Sequence, residues 1–361
     1  MTDEVTPAED DMTPAENDTP IAVSIPPLDE AAREAAQRRQ QQLLKPPGSL
    51  GRLESMAVEI AAMQATPTPS VDPAVLLTLA ADHGVTSEGV SAYPASVTAA
   101  MVEAVDNGDA AINALAGATE ITTRVVDMGV AGDVPSGVID HHIADGTANM
   151  AVEPAMAATQ ARASIAAGRE LIADHAANAG IVALGDLGIG NTTASAAITA
   201  ALTENSVAEV TGHGTGIDEE TRHEKIETIE GALAVTDLDP DSPIDVLRCV
   251  GGFEIGGLVG VTLEAASRRI PVVIDGVVTG AAALVAAAID ERVTGYLLGS
   301  HVSTEPGHAV QLEQLGVEPC IEYEMGLGEG TGAAVAIGTY RAACRAHSEM
   351  ATFSDVGLDD A

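Results

Sequence analysis

"IVALGDLGIGNTTASAAITA" (residues 181–200) is an apolar run that ends at Gly185, with glycines again at 188 and 190 before Asn-Thr-Thr opens an Ala-rich helical pattern. A short apolar run bounded by glycine predicts a strand buried on both faces, followed at once by a helix. Bare backbone at that junction leaves N–H groups free, and the helix adds its positive end, so the stretch predicts an anion site; the plainer reading is a tight turn whose glycines serve packing alone. Gly188 and Gly190 let the backbone approach a ligand, and Thr192 or Thr193 adds a hydroxyl. No Gly-Lys-Ser/Thr occurs here, which excludes a P-loop, and "GDLGIG" lacks the order of a dinucleotide fingerprint. Asp186 is unfavourable beside an anion unless it has a task.

The same grammar recurs along the chain. Strands are expected at 75–84, 121–130, 180–186, 270–276 and 294–300. Helices are expected at about 95–106, 155–178, 192–203, 253–268, 278–291, 306–315 and 331–346. Two more helical patterns flank "LKPPGSLGRLE" (44–54), where Pro-Pro-Gly-Ser forces a turn. Strand–helix alternation with non-alternating apolar strands implies an α/β fold with a doubly wound, Rossmann-like parallel sheet. Its functional residues belong at the C-terminal strand ends. Those ends carry "ADHGV", "DMGV", "GDLGIGNTT", "DGVVTG" and "GSHVSTEPGH", which suggests one crevice.

Composition narrows the chemistry. The 361 residues are 46% hydrophobic yet hold no Trp, two Phe and four Tyr, so a base-stacking nucleic-acid surface is not expected. A net charge of −38 repels phosphate backbones and anionic membranes alike. Adaptation to a salt-rich cytoplasm accounts for such a surface, since salt screens the repulsion among carboxylates. Of 16 basic residues only Lys45 and Lys225 are lysines. A chain nearly free of lysine has a reason to keep those two. Three scattered cysteines (249, 320, 344) argue against a disulfide scaffold, and no stretch suits a membrane span or a signal peptide. The chain reads as soluble and cytoplasmic. Residues 1–24 and 351–361 read as acidic, disordered tails.

Three further clusters invite chemistry. "TGHGTGID" (211–218) precedes Lys225 by a few residues, which fits a phosphate contact at Gly214 and Lys225 or a surface loop with an incidental lysine. "MGLGEGTGAAVA" (325–336) sets Glu329 between Gly328 and Gly330 at a helix start. An acid there can merely favour the helix dipole; desolvated in a cleft, it can take a proton near neutral pH. His83, His301 and His308 lie near strand ends without metal-ligand spacing, so no metal is expected; they read as hydrogen-bonding residues that line or support the cleft, or as purely structural ones. His141-His142 reads as a solvated turn.

Taken in order, these segments resemble the nicotinate-nucleotide–dimethylbenzimidazole phosphoribosyltransferase family, over about residues 30–346. The motifs are "KPPGSLGRLE" (45–54), "ADHGVTSEGVSAYP" (81–94), "GTANMAVEPAM" (146–156), "GDLGIGNTT" (185–193), "TGHGTGID" (211–218), "GGFEIGGLVG" (251–260), "IPVVIDGVVTGAAALVA" (270–286), "SHVSTEPGH" (300–308) and "MGLGEGTGAA" (325–334). The resemblance implies transfer of ribose 5-phosphate from nicotinate mononucleotide to a benzimidazole, with inversion at C1′ and no cofactor or metal. It places the general base on Glu329 and a second acid on Asp186, one methylene shorter than the family's. Substrate contacts fall on Gly188, Gly190, Asn191, Thr192, Gly214, Lys225, Ser303 and Gly328. The base pocket falls on Asp82, His83, Ser87 and Tyr93. It further implies a homodimer. A small helical domain is expected from residues 25–70 and 333–350, beside a catalytic domain of residues 71–332.

Two positions depart from the family pattern. Gly326 stands where an Arg is common, and Ala95 where Gln follows "SAYP". Arg269 or Lys45 reaching over would restore the cation. Two rival readings are a nucleotide- or benzimidazole-binding protein without chemistry, and a nicotinamide-dependent oxidoreductase. The second lacks the dinucleotide fingerprint.

Overall fold

The computed structural model describes residues 21, 23–236 and 238–358. Among them, seven parallel strands form one sheet: β1 (Ala74–Ala81), β2 (Ile121–Gly129), β3 (Ile139–Asp140), β4 (Ile181–Leu187), β5 (Val272–Ile274), β6 (Leu297–His301) and β7 (Pro319–Ile321). Their spatial order is β3-β2-β1-β4-β5-β6-β7. Ala74 of β1 pairs with Ile121 on one side and Ile181 on the other. The order therefore reverses between β1 and β4, and a crevice opens where those two strands end. All eight residues of β1 and all seven of β4 are buried, as non-alternating apolar runs require.

Among the described residues the chain forms thirteen helices: α1 (Glu30–Gln42), α2 (Arg52–Gln64), α3 (Val97–Asn107), α4 (Ala111–Ala118), α5 (Ala158–His175), α6 (Asn191–Leu202), α7 (Val207–Val210), α8 (Glu219–Val235), α9 (Pro243–Val250), α10 (Phe253–Ser267), α11 (Val277–Ile289), α12 (Pro306–Leu315) and α13 (Thr331–Glu349). Of these, α3, α4, α10, α11 and α13 pack directly on the strands. Side-chain caps start several of them. Asp29 accepts the Ala32 N–H at 2.8 Å, and Asp218 accepts that of Thr221 at 2.9 Å. The closest helix crossing is α5 on α10. A Cβ on Gly168 would sit 1.8 Å from the Gly257 carbonyl oxygen, and one on Gly260 would sit 2.0 Å from that of Ile165. Gly257 and Gly260 of "GGFEIGGLVG" thus bring the backbone of α10, a helix buried nearly all round, against that of α5.

Four helices (α4, α7, α8, α9) and the short strands β3 and β7 were not among the expected elements. The stretch expected as a strand over 294–300 begins as a 3-10 turn and extends only from Leu297. Of the expected N-terminal tail, residues 1–20 and 22 lie outside the described residues. Ile21 and Val23 pack against the core and correct that boundary. Residues 351–358 correct the other tail. Leu44 donates its N–H to the Ala351 carbonyl at 2.9 Å and Phe353 to that of Gln42 at 3.0 Å, so this segment is tied to the end of α1. Met56, Ile60 and Met63 of α2 join the same buried cluster as Leu76 and Leu79 of β1. The core crosses the expected boundary near residue 70 without a break.

Candidate active site

The loop after β4 begins the site. Gly190 adopts φ +96° as the residue that turns the strand into α6, a conformation that suits glycine. A Cβ there would also sit 2.9 Å from the Thr86 methyl. Next to the loop lies a cavity of about 600 Å³, with Asp186, Gly188, Asn191, Thr192, Gly214, Ser303, Gly328 and Glu329 all in its wall. Separate strand ends and the start of α13 meet here, as one crevice requires. Tyr93 joins at the rim and is 55% exposed.

Glu329 is held from its backbone. It sits at φ +62°, its N–H donates to the Asp186 carbonyl at 3.2 Å, and its own carbonyl accepts the Thr78 hydroxyl at 3.2 Å. Gly185 must be glycine for this to happen, because a Cβ there would lie 2.7 Å from the Glu329 carbonyl oxygen. The residue is 3% exposed, and its Oε2 has no hydrogen-bond partner among the described residues. Burial raises its pKa above the usual carboxylate range, against a pull from the Ile112 N–H at the start of α4.

Two more buried carboxylates crowd this one. Asp186 accepts the Asn191 amide at 2.8 Å. Burial, with Asp275, Glu254 and Glu329 adding repulsion, pushes its pKa up to about 8. Asp275, at the end of β5, accepts the N–H groups of Gly330 (3.1 Å) and Ala333 (2.9 Å) and so caps α13. Burial pushes it up to about 7 even so. Carboxylates this close do not all ionise together at neutral pH.

The opposite wall is suited to an anion. Lys225, 1% exposed on α8, donates to the Thr192 hydroxyl at 2.9 Å. Burial depresses it to about 8, with Glu305 holding its charge and Arg222 opposing. It stands behind Thr192 and Gly214, which line the cavity, and is not itself in the wall. Thr192, not the buried Thr193, supplies the hydroxyl in the wall.

Three expected base-pocket residues are not in this wall. His83 is spent on Glu254, with Nε2 2.6 Å from Oε1 and both side chains buried. Asp82 accepts the Ala131 N–H at 2.8 Å and ties β1 to the loop after β2. Ser87 donates to the Gly84 carbonyl at 2.8 Å and accepts from Asn149 at 3.1 Å. Gly190 also lies behind the wall and shapes it. Gly326 does line the cavity, and a Cβ on it would lie 2.4 Å from the Thr304 hydroxyl, so an arginine needs that contact to open. Neither Arg269 nor Lys45 replaces it. Lys45 is 2.7 Å from Glu54, and Arg269 lies 3.5 Å from the Tyr296 hydroxyl. His142 is no idle turn residue, since Asp127 and Asp145 flank it at 3.0 and 3.2 Å and raise its pKa against the effect of burial.

His301, one of the histidines expected to line or support the cleft, is in the wall; Glu305, also in the wall, and Asp275, behind it at the start of α13, were not singled out from the sequence. Their signal was visible only as polar punctuation after β5 and β6. Among the described residues no group of His, Cys, Asp and Glu is arranged to hold a metal, and no helix is long and apolar enough to cross a membrane.

Residues 25–358 match the family model described as "Phosphoribosyltransferase". A nicotinate-nucleotide–dimethylbenzimidazole phosphoribosyltransferase of Roseiflexus sp. (strain RS-1) is 49% identical over 338 residues, covering 92% of this chain and 96% of that one. The enzyme of the same name from Chloroflexus aggregans is 46% identical over 340 residues, 93% and 96% of the two chains. The crystal structure of CobT from Thermus thermophilus superposes with a TM-score of 0.88 at 41% identity, covering 92% of this chain and 100% of the other.

Proposed function

This chain belongs to the nicotinate-nucleotide–dimethylbenzimidazole phosphoribosyltransferases, and from that premise we propose that Glu329 is the general base of the transfer. The enzyme is a phosphoribosyltransferase of cobalamin lower-ligand assembly. In the proposed step the benzimidazole nitrogen attacks C1′ of nicotinate mononucleotide and the bond from C1′ to the pyridinium nitrogen breaks. That electron pair returns to the ring, so nicotinate leaves without a general acid. The benzimidazole N–H proton passes to the Glu329 carboxylate as the new bond forms. A single displacement inverts the anomeric centre, and positioning supplies much of the rate.

The supporting observation is the pairing of Glu329 with Asp186 in one cavity wall. Asp186, pushed up to about 8, favours its protonated form at neutral pH, which leaves the proton-accepting role in the wall to Glu329. It orients the ribose or the incoming base. Lys225, Thr192 and the N–H groups of the loops at 188–192 and 211–217 grip the 5′-phosphate.

Incubation with nicotinate mononucleotide and dimethylbenzimidazole in concentrated salt, with mass detection of nicotinate and α-ribazole 5′-phosphate, tests this across a pH series. Glu329 must be ionised to accept a proton, and its pKa is raised, so the acid limb lies above the ordinary Glu value of about 4.3. Lys225 must stay charged, so in the empty enzyme binding weakens as pH climbs through about 8. A rate independent of pH through the acid range removes Glu329 as base. Absence of released nicotinate at every pH removes the reaction.

We also propose a homodimer working in a salt-rich cytoplasm. The net charge of −38 supports the second part, because self-repulsion of that size needs screening. Light scattering in dilute and in molar potassium chloride is expected to give twice the chain mass in the concentrated salt. A monomer there ends the dimer reading.

A further inference from the structure

Glu305 occupies the N-cap position of α12, yet its side chain makes no hydrogen bond to that helix. It turns instead towards the glycine loop of residues 211–217. Its Oε1 accepts the Gly214 N–H at 2.7 Å. A Cβ on Gly212 would lie only 2.4–2.7 Å from its carboxylate atoms, so the loop backbone rests against them. Glu305 also lines the cavity beside Thr192, Gly214 and Ser303. Behind the loop stands the Lys225 ammonium, 3.3 Å from where a Gly214 Cβ would be. The Glu305 carboxylate thus takes a backbone donor that suits a phosphate, on a loop backed by a buried cation whose charge it favours.

We propose that Glu305 is an internal occupant of the phosphate subsite, holding the 211–217 loop in shape while empty and yielding the Gly214 N–H to the nucleotide's phosphate. The inference rests on reading Lys225 and this loop as the phosphate grip. Two anions do not share one N–H, and a phosphate entering beside a fixed carboxylate is repelled by it. An occupant present nine-tenths of the time lowers apparent affinity about tenfold, because only the vacated fraction can bind. That cost is common to every ligand that needs the same donor. It therefore falls equally on a bare anion and on a whole nucleotide. Glu305→Gln keeps the shape but not the charge, so the Gly214 N–H is held only by a neutral acceptor that a phosphate displaces far more readily, and the repulsion is gone as well.

Calorimetric titration of inorganic phosphate, and separately of nicotinate mononucleotide without any acceptor base, into the unmodified chain and the Glu305→Gln variant reads this directly. Both ligands are expected to tighten by the same factor, about tenfold. Equal or weaker binding in the variant overturns the proposal and makes Glu305 a brace of the bound state. Tightening of the nucleotide alone overturns it too, because the carboxylate then acts on sugar or base. Phosphate that binds neither protein measurably also overturns it. Lys225→Ala in the same titration separates the two levels. If that variant binds phosphate normally, the grip lies elsewhere and the proposal falls with it. If Lys225→Ala weakens binding while Glu305→Gln changes nothing, only the proposal falls.

Discussion

Glu329→Gln is expected to lower kcat for α-ribazole 5′-phosphate formation by about 10²–10⁴, the range associated with one general base. The KM for nicotinate mononucleotide should change little. Glutamine has nearly the same shape, and the backbone that fixes this position is untouched: the N–H to Asp186 and the carbonyl to Thr78 both survive. What disappears is the basicity of the carboxylate: the amide oxygen keeps its lone pairs but does not take the benzimidazole proton. Asp186 does not stand in at neutral pH, because burial and its acidic neighbours keep it protonated to about 8. A variant that recovers activity as the pH is raised past that point would move the base to Asp186. Full activity at neutral pH would end the assignment of Glu329.

Lys225→Ala should raise the KM for nicotinate mononucleotide about 10–100-fold, which corresponds to losing one hydrogen bond to a charged group. The KM for the base is expected to stay near its original value. The effect should persist in molar salt, since a cation with 1% exposure is screened far less than a surface pair. The pKa direction makes the case for function. Folding depresses this lysine to about 8, below its unfolded value near 10.4, so the fold prefers it neutral. Its charge costs stability below pH 8, and that stability returns as pH rises from about 8 towards the unfolded pKa. A buried cation kept at a cost beside a cavity is a candidate binding group. Unchanged nucleotide KM would remove Lys225 from the phosphate grip.

Much of the site could be read in linear order because its parts are local. The strand, the glycines and the Asn-Thr-Thr of residues 181–193 sit next to one another, and one crossing of the sheet places them. Lys225 stood out through the scarcity of lysine. The long expected strands and helices reappear with boundaries shifted by a few residues at most, although 294–300 starts as a 3-10 turn and 270–276 shrinks to Val272–Ile274. The omissions are of a different kind. α8 buries only Lys225, Ile229 and Ala232 along its length, so it shows no broad apolar stripe. β3 and β7 are two- and three-residue edge strands that borrow their structure from their neighbours.

By itself the sequence determined the α/β alternation, the glycine turn that leads from β4 into α6 and the set of motifs that place the chain in its family. Each depends on residues close together in the chain. Tertiary structure alone decided how the ionisable groups behave. His83 and Glu254 are 171 positions apart and meet at 2.6 Å, which withdraws both from the cavity. Asp275 reaches across to cap α13 and crowds Asp186. Glu305 leaves its own helix for Gly214. A protonation state or a hydrogen-bond partner is set by distance in space and by exclusion of water, and neither quantity exists until the strands are side by side.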